Sequence, residues 1–413
     1  MKDALWILGV LLVTCFGLVS WRIPSVRRLD LGARLAIAFA CGCVVLSTLM
    51  FVFTLVHVPF TRATLLIAMV VFACGVRWPR HRSAAKSGGM AAALQAGVFA
   101  LTAYGLLTAR ETCGDLIYFW GPKGQRFYFA EAIDVPFLSF PHYQLMHPDY
   151  PPLLPLVYAF ASSVAHGFSW WGAIFATLFL LAATALAFRG LAREALGDER
   201  ASVYAMLLAA LLAYGYARSM VAGAGEPMLL LFETIAIAAL TFRDDGEVIA
   251  AIALAGAAWT KIEGAAFVAI VVVAYALTRR RVVRAAVAAV PAALLVLSWI
   301  IFAKAHNFID QYGRVGQRMH FELLGTIVKT MAVQASYGAF YLPWLAGGVP
   351  FAFARNWRRA ALPLLVFSGL VASAVYFYLH GDPPLVWWIE SSVERVLLSA
   401  LMTLLVAAAA ASE

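Results

Sequence analysis

The chain has 413 residues, 63% of them hydrophobic and 13% charged, with a mean hydropathy of +0.84. Soluble domains carry about 25% charged residues, so a soluble fold of this length is excluded and a polytopic membrane protein is expected. The net charge of +9 is spread between apolar runs, where it reads as a topology signal, and no nucleic-acid partner is expected.

Apolar segments follow one another at residues 4–21, 35–56, 63–76, 88–108, 151–188, 201–222, 227–242, 247–260, 264–278, 285–303, 322–354, 360–379 and 393–411. A hydrocarbon core about 30 Å thick takes roughly 20 apolar residues per helix, so the expected fold is an all-α transmembrane bundle of about 11 to 13 spans. Residues 1–21 have the length of a signal peptide. No small-residue cleavage site follows them, and Trp21-Arg22 resembles an interfacial stop, so the segment is read as a span. Cys15, Cys41, Cys43 and Cys74 lie in apolar segments and Cys113 in a polar loop, giving neither a disulfide framework nor a zinc pattern.

Alternate connections are basic: Arg22 to Arg34, Arg77 to Lys86, Arg189 to Arg200, Arg279 to Arg284 and Arg355 to Arg359. With Arg243 they hold 19 of the 31 Lys and Arg residues, which the positive-inside rule makes cytoplasmic. That assignment requires residues 151–188 to make one net crossing, with part of the segment re-entrant or lying along the membrane. The outer face then receives 109–150, the Gly223 to Pro227 and Lys261 to Gly264 corners, 304–321 and 380–392.

The outer loop opens with "ETCGDLIYFW" and is dense in aromatics, which favour the headgroup level, so interfacial helices are expected in it. Asp115, Lys123 and Arg126 fall within three turns if residues 114–131 are helical, although Gly121-Pro122 is expected to interrupt that helix. The loop ends in "HPDYPPLLP", a helix entrance. Charged corners follow at "GAGEP" and "TKIEG", and Glu233 lies about two turns inside a span, where an ionisable group is a functional candidate. Each has a plainer reading as a solvated charge, an interfacial anchor or an interhelical hydrogen bond. His142, His147 and Asp149 match no strong metal motif, so no metal ligand is assigned and a divalent metal stays open as a cofactor. The chain has no P-loop, no dinucleotide fingerprint and no D-x-D pair, which disfavours a nucleotide-sugar donor.

Taken in order, "GDLIYFW", "YPPLLP", "GEP", "TKIEG" and "WWIESSVERVLL" resemble the GT-C superfamily of polyprenyl-phosphate-sugar-dependent glycosyltransferases. That superfamily includes the protein mannosyltransferases and the lipid A aminoarabinose transferase. The resemblance covers residues 88–413, leaving 1–87 as extra N-terminal helices. It implies a GT-C-like catalytic domain that moves a sugar from a polyprenyl-phosphate donor to a hydroxyl of a glycan, lipid or protein. It also implies Asp115 as the catalytic aspartate and Glu226 as a second acidic residue, although Asp115 lacks the adjacent acidic neighbour that members often have. A carboxylate such as Asp115 suits a general base, and Lys123, Arg126, Lys261, Arg314 and Arg318 suit a phosphate. Asp149, Tyr150 and Glu263 complete the candidate substrate-binding set. A bacterial inner (plasma) membrane with an outward-facing site is the expected location. The competing expectation is a transporter or flippase for a lipid-linked or anionic substrate, with charges deep in its spans.

Overall fold

The computed structural model describes residues 1–74, 113–140, 146–308, 319–352, 357–380 and 385–413, together with positions 97, 100 and 103. Most of the segment expected at 88–108, the basic stretch from Arg77 to Lys86, and His142, Arg314 and Arg318 lie outside the described residues. Every regular element among the described residues is helical, as it must be where lipid offers the backbone no hydrogen bonds.

Helix α1, Lys2–Gly17, continues through a 3-10 turn to Arg22, and α2 is Leu31–Leu55. Asp30 starts α2 by accepting the Ala33 N–H at 3.0 Å, an N-terminal cap. The two helices cross with their backbones in contact. A Cβ on Gly42 would lie 2.1 Å from the Val13 carbonyl oxygen, so small residues permit the crossing. Helix α3 is Arg62–Cys74.

After Cys113 a π-helical turn, Leu116–Trp120, runs directly into α4, Gly121–Ala130. The interruption expected at Gly121-Pro122 does not occur. The chain passes Pro122 by a π-helical turn, in which the Gly121 N–H donates to the Leu116 carbonyl, rather than by a break.

The remaining helices are α5 (Leu153–Ala165), α6 (Trp170–Leu196), α7 (Asp198–Arg218), α8 (Gly225–Phe242), α9 (Glu247–Thr260) and α10 (Ile262–Arg279). They are followed by α11 (Val282–Ala305), α12 (Leu324–Ala335), α13 (Leu342–Ala352), α14 (Trp357–Leu379) and α15 (Leu385–Ala411). The apolar run at 322–354 is broken between α12 and α13. Gly338 takes a left-handed conformation there (φ +54°), and a Cβ on it would lie 2.2 Å from the Tyr214 hydroxyl.

Nine of the described helices are long and apolar enough to cross a bilayer, and α3, α5 and α9 are shorter apolar helices. Helix α8 is the axis of the bundle, buried at every residue. By contrast, α11 exposes Val287, Leu294 and Ile301, apolar side chains that suit lipid contact.

Residues 151–188 divide into α5 and α6. Thirteen residues of α5 reach only about 20 Å, and both its ends lie on the side of α4. Tyr158 packs beneath Gly124 near the start of α5, and Trp170, just past its end, packs beneath Gly121. Of this stretch only α6 is long and apolar enough to cross a bilayer. The extra N-terminal helices are built into the same core, since Trp6 Nε1 of α1 donates to Ser162 Oγ of α5 at 3.2 Å.

The two ends of the bundle differ in chemistry. At one end Arg243 pairs with Glu194 and lies 3.5 Å from Asp245, while Arg28 reaches Asp245 at 3.4 Å. At the same end Arg281 and Arg284 reach Glu247 at 3.2 and 3.1 Å. The described basic connections thus gather at one end, and the starts of α8 and α10 lie at the other.

Candidate functional site

The site forms where three chain breaks meet one helix face. Asp115 precedes the π-helical turn. Glu226 is the second residue of α8, near the positive end of the helix dipole. Gly225 beside it is required by close approach, since a Cβ there would lie 2.8 Å from Trp120 and 3.0 Å from Lys261. Lys261 is the single extended residue between α9 and α10 (φ −149°, ψ 161°). The tight reversal is possible because Gly264 packs on the Ala257 carbonyl, which a Cβ would approach to 1.9 Å.

Two ion pairs interlock these residues. Lys261 Nζ donates to Glu226 Oε1 at 2.9 Å and lies 3.5 Å from Glu263 Oε1. Arg395 of α15 donates to Asp115 Oδ2 at 2.6 Å and lies 3.8 Å from Glu226 Oε1. The second carboxylate oxygen of Glu226 is buried and has no hydrogen-bond partner among the described residues. Burial raises the Asp115 pKa, and the Glu226 charge raises it further against the pull of Arg395 and Lys261. Burial opposes the Lys261 charge, but Glu226, then Glu263 and Asp115, outweigh it and hold the ammonium above its ordinary range.

These groups line a cavity of about 370 Å³. Asp115, Glu226, Lys261, Glu263 and Arg395 supply its charged part, with Tyr150 and His147 on one wall. Leu229, Leu230, Ala266, Leu370, Ala374 and Val396 line an apolar trough between α8, α10, α14 and α15. Glu233 lies on the wall of that trough, 1% exposed. It is seven residues beyond Glu226 on α8, about 10 Å deeper.

Of the residues expected at a site, Asp115, Glu226, Tyr150, Lys261 and Glu263 converge. Lys123, Arg126 and Asp149 do not line this cavity. Arg126 points away, pairing with Asp134 at 2.6 Å. Lys123 is buried behind the wall, where Nζ donates to the His147 carbonyl at 2.6 Å and sits over the rings of Trp120 and Tyr150 at 5.3 and 5.8 Å. Burial pushes its pKa down to about 7, opposed by the Asp149 charge. The Asp149 carbonyl accepts from Trp299 Nε1 at 2.6 Å, which ties the loop to α11.

His147 stacks on Tyr150 with ring centroids 4.6 Å apart. Burial, then the charges of Lys123, Lys261 and Arg395, pushes its pKa down to about 3, so the ring is neutral at physiological pH. Among the described residues no three His, Cys, Asp or Glu side chains group as a metal-holding set. Of the four cavity carboxylates, Asp115 is held by Arg395 and Glu226 by Lys261.

Arg395 was not singled out from sequence. Its signal is a basic residue just inside the last apolar run, in "WWIESSVERVLL". Chemically, the arrangement offers a buried carboxylate of raised basicity, two cations able to meet an anion, and an apolar slot beside them. No known protein family, curated protein or solved structure matches the chain.

Proposed function

We propose that the chain is a membrane glycosyltransferase that moves a sugar from a polyprenyl-phosphate donor to an acceptor hydroxyl. The observation that carries this reading is the convergence of Asp115, Glu226, Lys261 and Arg395 on one cavity whose other half is apolar. A lipid-linked sugar phosphate needs both halves: cations for the phosphate and an apolar trough for the first isoprene units.

Asp115 is the general base. The phosphate approaches Arg395 and replaces Asp115 there, which frees Oδ2. The acceptor O–H then gives its proton to Asp115 as its oxygen bonds the sugar carbon. The bond from that carbon to the phosphate oxygen breaks, and the electron pair leaves with the lipid phosphate. Arg395 and Lys261 stabilise the charge that develops on this leaving group by charge-assisted hydrogen bonds.

We place the site at the outer face of a bacterial plasma membrane, because it lies at the end opposite the arginine-rich connections. Labelling of single-cysteine variants from outside is expected at position 125 and not at 281. The reverse pattern overturns this orientation.

A second reading, a transporter or flippase, is favoured by Glu233, a carboxyl buried on the trough wall at membrane depth. One assay separates the two: release of sugar from polyprenyl-phosphate donors by the parent and by Asp115→Asn protein of matched insertion and stability. Loss of the base is expected to lower turnover by about 10²-fold to 10⁴-fold. Near-normal turnover in the variant removes Asp115 from the catalytic role. No transfer by the parent, together with lipid flux in proteoliposomes, supports the transporter reading.

A further inference from the structure

The arginine-rich end of the bundle contains a concave pocket of about 600 Å³, within the range of small-molecule sites. It is built from three separate connections. The end of α8 supplies Arg243 and Asp244, the α10–α11 turn supplies Arg279 to Arg281, and the start of α14 supplies Arg358. The positive-inside rule accounts for arginines in each connection. It does not account for their convergence on one hollow, nor for the uneven way in which they are neutralised.

Arg243 has Glu194 and Asp245, and Arg281 has Glu247. Arg279 donates to the Thr241 carbonyl at 3.3 Å. Among the described residues Arg279, Arg280 and Arg358 form no ion pair with a carboxylate, and Asp244 is the one acidic side chain lining the pocket. Three unmatched guanidinium groups against one carboxylate leave two positive charges in the hollow.

The pocket borders apolar surface, since Leu277, Val282 and Val283 are 67%, 65% and 76% exposed. It therefore opens close to headgroup level.

We propose that this pocket binds a phosphate-bearing anion, held by Arg279, Arg280 and Arg358. Guanidinium groups match phosphate oxygens in bidentate geometry, and the surplus of two positive charges matches a dianion or a lipid phosphodiester with a second acceptor. The site is at the opposite end from Asp115 and does not depend on the proposed transfer reaction.

The test compares the parent with Arg280→Gln/Arg358→Gln protein in two arms. One titrates inorganic pyrophosphate against detergent-solubilised protein by calorimetry. The other measures retention of phosphatidylglycerol and of phosphatidylcholine by native mass spectrometry. Both substituted residues are exposed, so folding is expected to match the parent, which thermal unfolding checks. Binding in at least one arm should weaken by about tenfold or more in the double variant, a change of 1.4 kcal/mol or more. Asp244→Asn, which removes the lone carboxylate, should tighten it. An effect confined to pyrophosphate identifies a soluble phosphate compound as the source, and one confined to phosphatidylglycerol identifies a lipid headgroup. Equal binding of both probes by parent and double variant, or no binding by the parent, overturns the proposal.

Discussion

The two ends of the bundle use the same kinds of charged residue in opposite ways. At the arginine-rich end the pairs join helix termini across half-exposed connections, as with Arg28 and Asp245, whose side chains are 66% and 41% exposed. At the cavity end Lys261 and Glu226 are 9% and 8% exposed. Burying a pair costs several kcal/mol of desolvation per ion, which the attraction between the partners only partly offsets. An exposed pair is nearly free of that cost and contributes little. The Lys261–Glu226 pair is thus buried on both sides, whereas the pairs of Arg28, Arg243, Arg281 and Arg284 at the arginine-rich end each keep at least one exposed partner, as Arg243 at 4% does with Glu194 at 70%.

The largest expected effect tests that cost directly. Glu226→Leu leaves Lys261 buried without its hydrogen-bonded partner, with Glu263 and Asp115 as the remaining carboxylates, and should lower stability by about 3 to 5 kcal/mol, read as thermal unfolding in detergent. The double variant Glu226→Leu/Lys261→Met should recover most of that loss while remaining inactive. Recovery of turnover as well would show that the pair is structural.

Arg395→Met should reduce sugar transfer by about 10²-fold to 10³-fold, the usual cost of losing one electrostatic donor to a developing charge. It also removes the cation paired with Asp115, while Glu226 keeps Lys261. An unchanged rate would sever the proposed link between the phosphate and the release of Asp115.

Lys123 predicts a pH effect. Its pKa is about 7 in the fold against an ordinary 10.5, so between pH 10.5 and pH 7 the unfolded chain holds the extra proton. Stability should therefore rise with pH across this window, by at most about 1.4 kcal/mol per pH unit. Lys123→Met should abolish the slope, and a slope that persists would assign it to other groups. At the other end Arg28→Ala should change stability by at most about 1 kcal/mol, and a larger loss would erase the contrast between the two ends.

Much of this contrast was legible in the sequence. Hydropathy located the helices, and the Lys and Arg bias separated the two ends before any contact was known. Asp115, Glu226, Lys261 and Glu263 stood out because each is a charge at a break between apolar runs. What sequence could not supply was the direction in which side chains point. Arg126 is only three residues past Lys123, yet it turns toward Asp134, which a short return of the chain brings within reach. Arg395 escaped notice because its partner Asp115 is 280 residues away, and hydropathy registers it only as the margin of the last span.

The hydrogen bond from Trp6 to Ser162 joins residues 156 positions apart. At roughly 5 to 20 residues per second of synthesis, α1 waits about 8 to 30 s for α5 to emerge. During that interval its indole N–H and its glycine-lined surface must be accommodated by α2, α3 and lipid. The backbone crossing at Gly17 and Gly42 then acts as a clasp that keeps the nascent hairpin in shape until its later partner is made. A bulky residue at Gly42 should appear first as failed biogenesis, with degradation during insertion, rather than as a defect in the mature protein.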